Sequence, residues 1–227
     1  MTLDGAEGRH AATIRRLTAG ERADLTDGRG TVAECVVTGV GQGVLELSVQ
    51  GRQTGPAPSP RVVVIQAIPK SDRGELAVEI MTEVGVDVVV PWSAERCVAK
   101  WRPERSAKAL AGWRSTAREA AKQSRRIWFP EITEPADIRE VARQVSEAAV
   151  AVLLDPAAGH QLSAVALPAS GDIVLIVGPE GGVSSAEEQV LTAAGAVRAR
   201  LGPPVLRASS AGAVAGALVL SSSGRWA

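Results

Sequence analysis

A chain of 227 residues with 45% apolar content can form one large domain or two small ones. Its 25 basic and 25 acidic side chains cancel, so overall charge gives no sign of a nucleic-acid partner and only local clustering can. Two cysteines far apart, Cys35 and Cys97, argue against a disulfide framework and for a reducing, cytoplasmic setting. With His10 and His160 as the only histidines, neither a metal centre nor a Ser-His-Asp triad is expected. No signal peptide is evident, and the apolar stretch 211–220 is too short and glycine-rich to span a membrane.

Residues 1–54 carry β-like segments punctuated by turn signals. Residues 31–37 follow Arg29-Gly30, and residues 44–49 follow Gly41-Gln-Gly43. Both alternate partially, as half-buried strands of a small antiparallel barrel would. Residues 10–17 read as a short helix before a turn at Ala19-Gly20. Then comes Gly55-Pro-Ala-Pro-Ser-Pro60, whose prolines can join neither a ladder nor a helix interior. A semi-stiff linker over 55–60 is expected, with a second domain over 61–227.

Beyond it the pattern changes to apolar runs alternating with helices. Strands are expected over 61–68, 86–90, 149–154, 173–177 and 197–201. Helices are expected over 72–84, with Leu76, Ile80 and Glu83 on one face and Gly85 ending it, and over 103–124, with Pro103 near its first turn. This alternation predicts an α/β unit: a mostly parallel sheet covered on both faces.

The run 173–177 stops at Gly178-Pro-Glu-Gly-Gly182, and Ser184 with Glu187 fits a capping box that starts a further helix. A glycine-rich turn between a strand and a helix presents free backbone N–H groups at a sheet edge, where open α/β folds bind ligands. A tight connection that needs glycine only for its φ angles fits the same residues. Neither G-x-G-x-x-G nor G-x-x-x-x-G-K-[ST] occurs here.

Charge is uneven along the long helix. Residues 96–126 hold ten basic side chains against two acidic ones, Glu104 and Glu119. Arg114, Arg118, Lys122 and Arg125 recur on one helical face, and like charges at that spacing repel by a few tenths of a kcal/mol each. An anionic partner, RNA backbone above all, explains the stripe; a solvated face is the alternative. Near the C-terminus, Leu201-Gly-Pro-Pro-Val-Leu-Arg207 makes a rigid exit from the last strand. The following helix, 208–223, is built almost wholly of small residues. Its backbone must therefore lie close to another element or to a second subunit.

Two of these segments, Leu175-Ile-Val-Gly-Pro-Glu-Gly-Gly-Val-Ser-Ser-Ala-Glu187 and Leu201-Gly-Pro-Pro-Val-Leu-Arg207, resemble the signature loops of the ribosomal RNA small-subunit methyltransferase E family, of the SPOUT class. Further matches are Thr82-Glu-Val-Gly-Val86, Ser93-Ala-Glu-Arg-Cys97, Glu119-Ala-Ala-Lys-Gln-Ser-Arg-Arg126 with Pro130-Glu-Ile132, and His10 with Arg16. The order is correct and covers nearly the whole chain.

The resemblance implies a small PUA-like β-barrel followed by a SPOUT methyltransferase domain with a C-terminal trefoil knot. It also implies methylation of N3 of a uridine in 16S rRNA of the small ribosomal subunit, and a homodimer formed through the SPOUT domain. S-adenosylmethionine is expected on the loops after Leu154, Val177 and Leu201. The residues implied there are Gly178, Pro179, Glu180, Gly181 and Gly182, then Gly202, Val205, Leu206 and Arg207. Arg207 and Arg126 are the candidates to steady charge on the uracil oxygens, and Glu180 the candidate to take the N3 proton. Arg16, Lys70, Arg73, Arg114, Arg118, Lys122, Arg125 and Arg126 are the expected RNA contacts.

Departures from the family pattern are Pro204 in place of arginine, Ala208-Ser209-Ser210 in place of a Thr-Glu-Thr type of segment, and Ile80 where lysine is common. The first two bear on substrate or cofactor contacts, the third on RNA. The chain starts where the family's first strand would be complete, which predicts a barrel short of an edge. Methylation of another rRNA base or of a ribose 2′-hydroxyl, or a non-catalytic RNA-binding assembly role, are the competing readings.

Overall fold

A computed structural model describes residues 1–226, the side chain of Pro103 excepted; Ala227, the last residue of the expected second domain, lies outside them. The chain divides into two compact units, Met1–Ala57 and a second beginning at Pro58, so the division falls inside the proline-rich stretch.

The first unit contains β1 (Thr2–Leu3), α1 (Gly5–Arg9), β2 (Arg22–Thr26), β3 (Thr31–Gly41) and β4 (Val44–Thr54). These strands form an antiparallel sheet in the order β1-β4-β3-β2. Alternate residues of β3 and β4 point inward, so Ala33, Cys35, Val37, Leu45 and Leu47 form the core with Ala11. Register shifts at Glu34/Cys35 and Val37/Gly39 mark irregularities that bend the β3–β4 ribbon, giving a curled half-barrel. The helical segment lies earlier than the sequence pattern suggests, as α1 and a π-type turn over His10–Ile14. Strand β1, two residues long, pairs with β4 at the edge the sequence left open. Both β1 and β2 escape pattern reading: one is two residues long, and the other has only Ala23 and Leu25 as apolar positions.

The second unit runs β5 (Arg61–Ala67), α2 (Arg73–Val84), β6 (Val88–Trp92), α3 (Pro103–Gln123), β7 (Glu131–Ile132), α4 (Ile138–Glu147) and β8 (Val150–Leu154). It continues with β9 (Asp172–Val177), α5 (Ser185–Ala193), β10 (Val197–Ala199) and α6 (Ala208–Ser222). Its six strands are all parallel, in the order β10-β8-β9-β5-β6-β7. Alternation along β5 feeds two cores. Val62 and Val64 pack with Ala77, Val78 and Met81 of α2, Leu110 and Trp113 of α3, and Val219 and Leu220 of α6. Val63 and Ile65 pack with Val141 and Val145 of α4 and Leu191 of α5. Helices thus cover both faces, and the strands, buried on each side, read as continuous apolar runs.

Two expectations need correction. Leu76 is 46% exposed, and the buried face of α2 is the i, i+3, i+4, i+7 set Gly74, Ala77, Val78 and Met81, one position along from the expected stripe. Helix α4 was not expected: its apolar spacing is short and lies between prolines, and its start rests on the Asp137 carboxylate accepting the N–H groups of Arg139 and Glu140.

The small residues of α6 now have a cause. A Cβ on Gly212 would meet Met81 Sδ at 2.8 Å and Val64 Cγ1 at 3.1 Å, and one on Gly216 would meet Val86 Cγ2 at 2.9 Å. Helix α6 therefore lies close against β5 and the α2–β6 region of its own chain. Beyond it, Arg225 donates to the Pro60 carbonyl and to the Asp87 carboxylate, tying the C-terminal segment to the start of the unit.

Candidate functional site

At the C-terminal ends of β5, β8 and β9 the chain leaves a cleft of roughly 830 Å³. Leu154, Val177, Gly178, Pro179, Glu180 and Gly182 line one part of it. The Gly-Pro-Pro exit contributes Leu201, Gly202, Val205, Leu206 and Arg207, and Lys70 and Arg73 come from the segment after β5. Three loops distant in sequence are thus brought together at the carboxyl ends of the strands, where open α/β sheets bind ligands.

Local chemistry fixes each loop. Gly182 sits at φ 74° and its N–H closes a turn onto the Pro179 carbonyl at 2.8 Å. A Cβ on Gly178 would meet Val183 Cγ2 at 2.7 Å, so only glycine fits there. The capping box is present in both halves: Ser184 Oγ accepts the Glu187 N–H, and the Glu187 carboxylate accepts the Ser184 N–H. That buried carboxylate also accepts the Glu95 N–H at 2.8 Å, which anchors the 93–97 segment beside the turn. Gly181 is the one expected cofactor residue outside the cleft lining. Its carbonyl accepts from Arg96 at 3.3 Å, and a Cβ there would meet Arg96.

Glu180 is exposed, and its carboxylate accepts the Lys70 N–H at 3.3 Å. Ser71, next to Lys70, adopts φ 62°, a left-handed conformation that costs a non-glycine residue energy and is often retained at functional loops. The 201–207 exit keeps its donors free: among the described residues, the N–H groups of Gly202, Val205 and Leu206 make no hydrogen bond.

Sequence reasoning missed a charged group on the cleft wall. The Asp155 carboxylate accepts the Ala157 N–H at 2.8 Å and Arg198 Nε at 2.9 Å, and Arg198 also pairs with Glu188 at 2.7 Å. Burial pushes the Asp155 carboxyl up, but the Ala157 N–H and Arg198 outweigh it and hold it below the usual range. Asp155 and Arg198 are 43 positions apart, so no local pattern could pair them. Val98, also in the lining, carried no signal either.

Arg126 is not brought to the cleft. Its guanidinium donates to the carbonyls of Thr82, Val86 and Trp128 and to Asp87. Burial lowers its pKa, partly offset by Asp87. Arg114, Arg118 and Arg125 stand exposed on and just beyond α3, and Lys122 is half-buried. Arg114 bonds the Ile132 carbonyl and Glu134, and Lys122 pairs with Glu119. Glu134 reaches this face from beyond β7, outside the window in which the charges were counted. Arg16 is exposed at φ 53° in the first unit.

The cleft suits S-adenosylmethionine: apolar walls from Leu154, Val177, Leu201 and Leu206 match an adenine, and the free N–H groups of the exit match its ring nitrogens and polar tail. The parallel sheet with its cleft, and the small half-barrel that precedes it in sequence, correspond to the two parts of an RNA methyltransferase with a PUA domain. The sequence profile of the RNA methyltransferase domain matches residues 56–220, and that of the RNA methyltransferase PUA domain matches residues 3–49. The chain belongs to the ribosomal RNA small subunit methyltransferase E family. It is 44% identical over 228 residues to Ribosomal RNA small subunit methyltransferase E of Mycobacterium bovis, covering 99% of this chain and 87% of that protein. The Bacillus subtilis protein of the same name is 26% identical over 223 residues, covering 93% and 86%. The crystal structure of the Neisseria gonorrhoeae protein of that name, bound to S-adenosyl methionine, superposes with a TM-score of 0.87 at 28% identity, covering 97% and 91%.

Proposed function

We propose that this chain transfers a methyl group from S-adenosylmethionine to N3 of a uridine in 16S rRNA, within the cytoplasmic small ribosomal subunit. The observation that carries the reading is the convergence of Leu154, the Gly178–Gly182 turn and the Leu201–Arg207 exit on one cleft. The identity to the M. bovis protein supports the substrate. When bound, S-adenosylmethionine supplies a methyl group already activated on a sulfonium. What the chain must contribute is alignment of the base, removal of the N3 proton and stabilisation of charge on O2 and O4.

Arg207, exposed in the cleft lining, serves the last task. Glu180, whose carboxylate accepts the Lys70 N–H in the cleft lining, takes the proton in this reading, and Lys70 and Arg73 hold flanking phosphates. Gly178, Pro179, Gly182, Gly202, Val205 and Leu206 shape the cofactor's seat, and Gly181 braces the turn through Arg96. Arg114, Arg118, Lys122 and Arg125 are RNA contacts of the second unit, and Arg16 is a separate RNA contact of the first. The return of α6 from the β10 edge to the middle of the sheet supports threading as a trefoil knot. Val214 and Leu218, 40% and 39% exposed one turn apart on α6, support a homodimer through this unit.

Primer extension on rRNA from cells with and without the gene tests the reading. A methyl on N3 blocks pairing and stops reverse transcriptase, so a stop lost with the gene is expected. An unchanged extension pattern would contradict it.

A further inference from the structure

Helix α3 has 21 residues and its neighbour α2 has 12. Gly74, in the first turn of α2, lies against Trp113: a Cβ there would meet the indole at 2.7 Å, and one on Gly112 would meet Glu75 Oε1 at 2.9 Å. At the other end Arg126, just past α3, donates to the Thr82 and Val86 carbonyls, where α2 ends and β6 approaches. The two helices therefore finish together, and the first eight or so residues of α3, ~12 Å of helix, run ahead of the start of α2. The burial pattern agrees, since none of residues 104–109 is buried. Half-buried Trp101, edge-on to Trp113 with ring centroids 5.0 Å apart, props the base of this overhang.

The overhang stands at the cleft end of the unit. Arg96 donates to the Gly181 carbonyl at 3.3 Å and Val98 lines the cleft, so Lys100 and Arg102 lead from the cleft rim into α3. Lys100, Arg102, Arg105 and Lys108 are all exposed, and among the described residues none of the four side chains forms an ion pair or a hydrogen bond. Residues 95–108 hold five cations against Glu95 and Glu104. The far end of the helix differs: Arg114 is paired with Glu134, Lys122 with Glu119 and Arg126 with Asp87. About 20 residues, ~30 Å of helix, separate Arg105 from Arg125, so the two cationic groups do not serve one short stretch of RNA.

Like charges at helical spacing repel by a few tenths of a kcal/mol per pair, and an anion laid across them turns that repulsion into binding. The side chains of residues 104–109 are charged or small, with none of the apolar anchors on which a protein interface rests. A phosphate backbone needs only the cations. We propose that the overhang of α3, through Lys100, Arg102, Arg105 and Lys108, grips the phosphates of the rRNA strand immediately next to the nucleotide held in the cleft. This rests on the reading of the chain as an rRNA methyltransferase. It divides the basic charge of α3 into a group beside the cleft that grips the target strand and a remote group reached only by a larger RNA body.

Cross-linking tests the placement. Cys35 and Cys97 are buried, so a thiol introduced by Arg105→Cys or by Arg125→Cys takes a photoactivatable aryl azide selectively. On small subunits lacking the modification, the label at 105 should cross-link to rRNA within a few nucleotides of the one that the parent methylates, and the label at 125 should not. In parallel, Arg102→Gln combined with Arg105→Gln should flatten the log-log salt dependence of binding to free 16S rRNA by about two units, one per lost phosphate contact. It should also raise the KM for the particle several-fold, while calorimetry shows parental affinity for S-adenosylmethionine. Cross-links from 105 to ribosomal protein alone, or to rRNA remote from the methylated nucleotide, would overturn the proposal. A parental salt slope, or a loss of cofactor affinity in the double variant, would overturn it as well. Transfer by the parent to an atom other than a uridine N3 would overturn the function above, and would leave this placement supported where the label at 105 marks the nucleotide methylated.

Discussion

The guanidinium of Arg126 donates to the Asp87 carboxylate at 3.2 Å, and the two side chains are 12% and 5% exposed. Asp87 also accepts the Val62 N–H and Arg225, so one carboxylate joins the start of β5, the end of α3 and the C-terminal segment. An arginine so engaged is structural. Removing Arg126 leaves Asp87 with Arg225 and the Val62 N–H but takes a donor from the Thr82, Val86 and Trp128 carbonyls, and a buried group left unsatisfied costs about 1–3 kcal/mol. Arg126→Met should therefore lower stability to urea by that order while leaving S-adenosylmethionine affinity unchanged wherever the protein is folded. A variant of parental stability that loses turnover would return Arg126 to the chemistry.

Glycine at 212 is expected to be as demanding as any position in the unit. A methyl group there must displace Met81 Sδ, Val64 Cγ1 or Gln66 Oε1, which lie 2.8–3.3 Å from the ideal Cβ. Overpacking of this kind costs roughly 1–3 kcal/mol. Gly212→Ala should lower the melting temperature, and an unchanged melt would show that α6 can move away from the sheet.

Much of this architecture was legible beforehand, because strands buried on both faces leave apolar runs that no surface segment imitates. Residues 173–177, the Ser184–Glu187 capping box and the Gly85 stop appear where pattern and propensity put them. The failures share one cause. Asp155 with Arg198, Arg126 with Asp87, and Arg114 with Glu134 are pairings fixed by tertiary folding, and sequence spacing has no term for them. Arg126, expected at the uracil oxygens and on RNA, is turned inward by contacts that lie far off in sequence.

The remaining stripe gives a salt-dependent prediction. Exposed pairs such as Arg114–Glu134 are weak and leave the arginine open to a phosphate. Substituting Arg118 and Arg125 by glutamine should reduce RNA affinity and flatten its log-log salt dependence by about one unit per lost contact. S-adenosylmethionine affinity should not change. An unaltered slope would make the stripe a solvated face.

Acid stability should depend on Arg143. Its hydrogen bonds, and that of Gln144, hold the Glu140 carboxyl down at about 2, below the ordinary glutamate value of 4.5. A depressed folded value means the contribution is present above about 4.5 and lost as the pH falls through 2. Arg143→Met should melt earlier than the parent at pH 6, and the difference should vanish near pH 2. A difference that persists at pH 2 would show that Arg143 acts through packing.

The central claim is methylation of a uracil N3 in small-subunit rRNA, and nucleoside analysis tests it most directly. The purified protein is incubated with methyl-labelled S-adenosylmethionine and small subunits lacking the modification, and the rRNA is digested to nucleosides. The account predicts label in 3-methyluridine, in greater yield from assembled particles than from free 16S rRNA. Label in a 2′-O-methylated nucleoside or in another base, or no transfer at all, would contradict it.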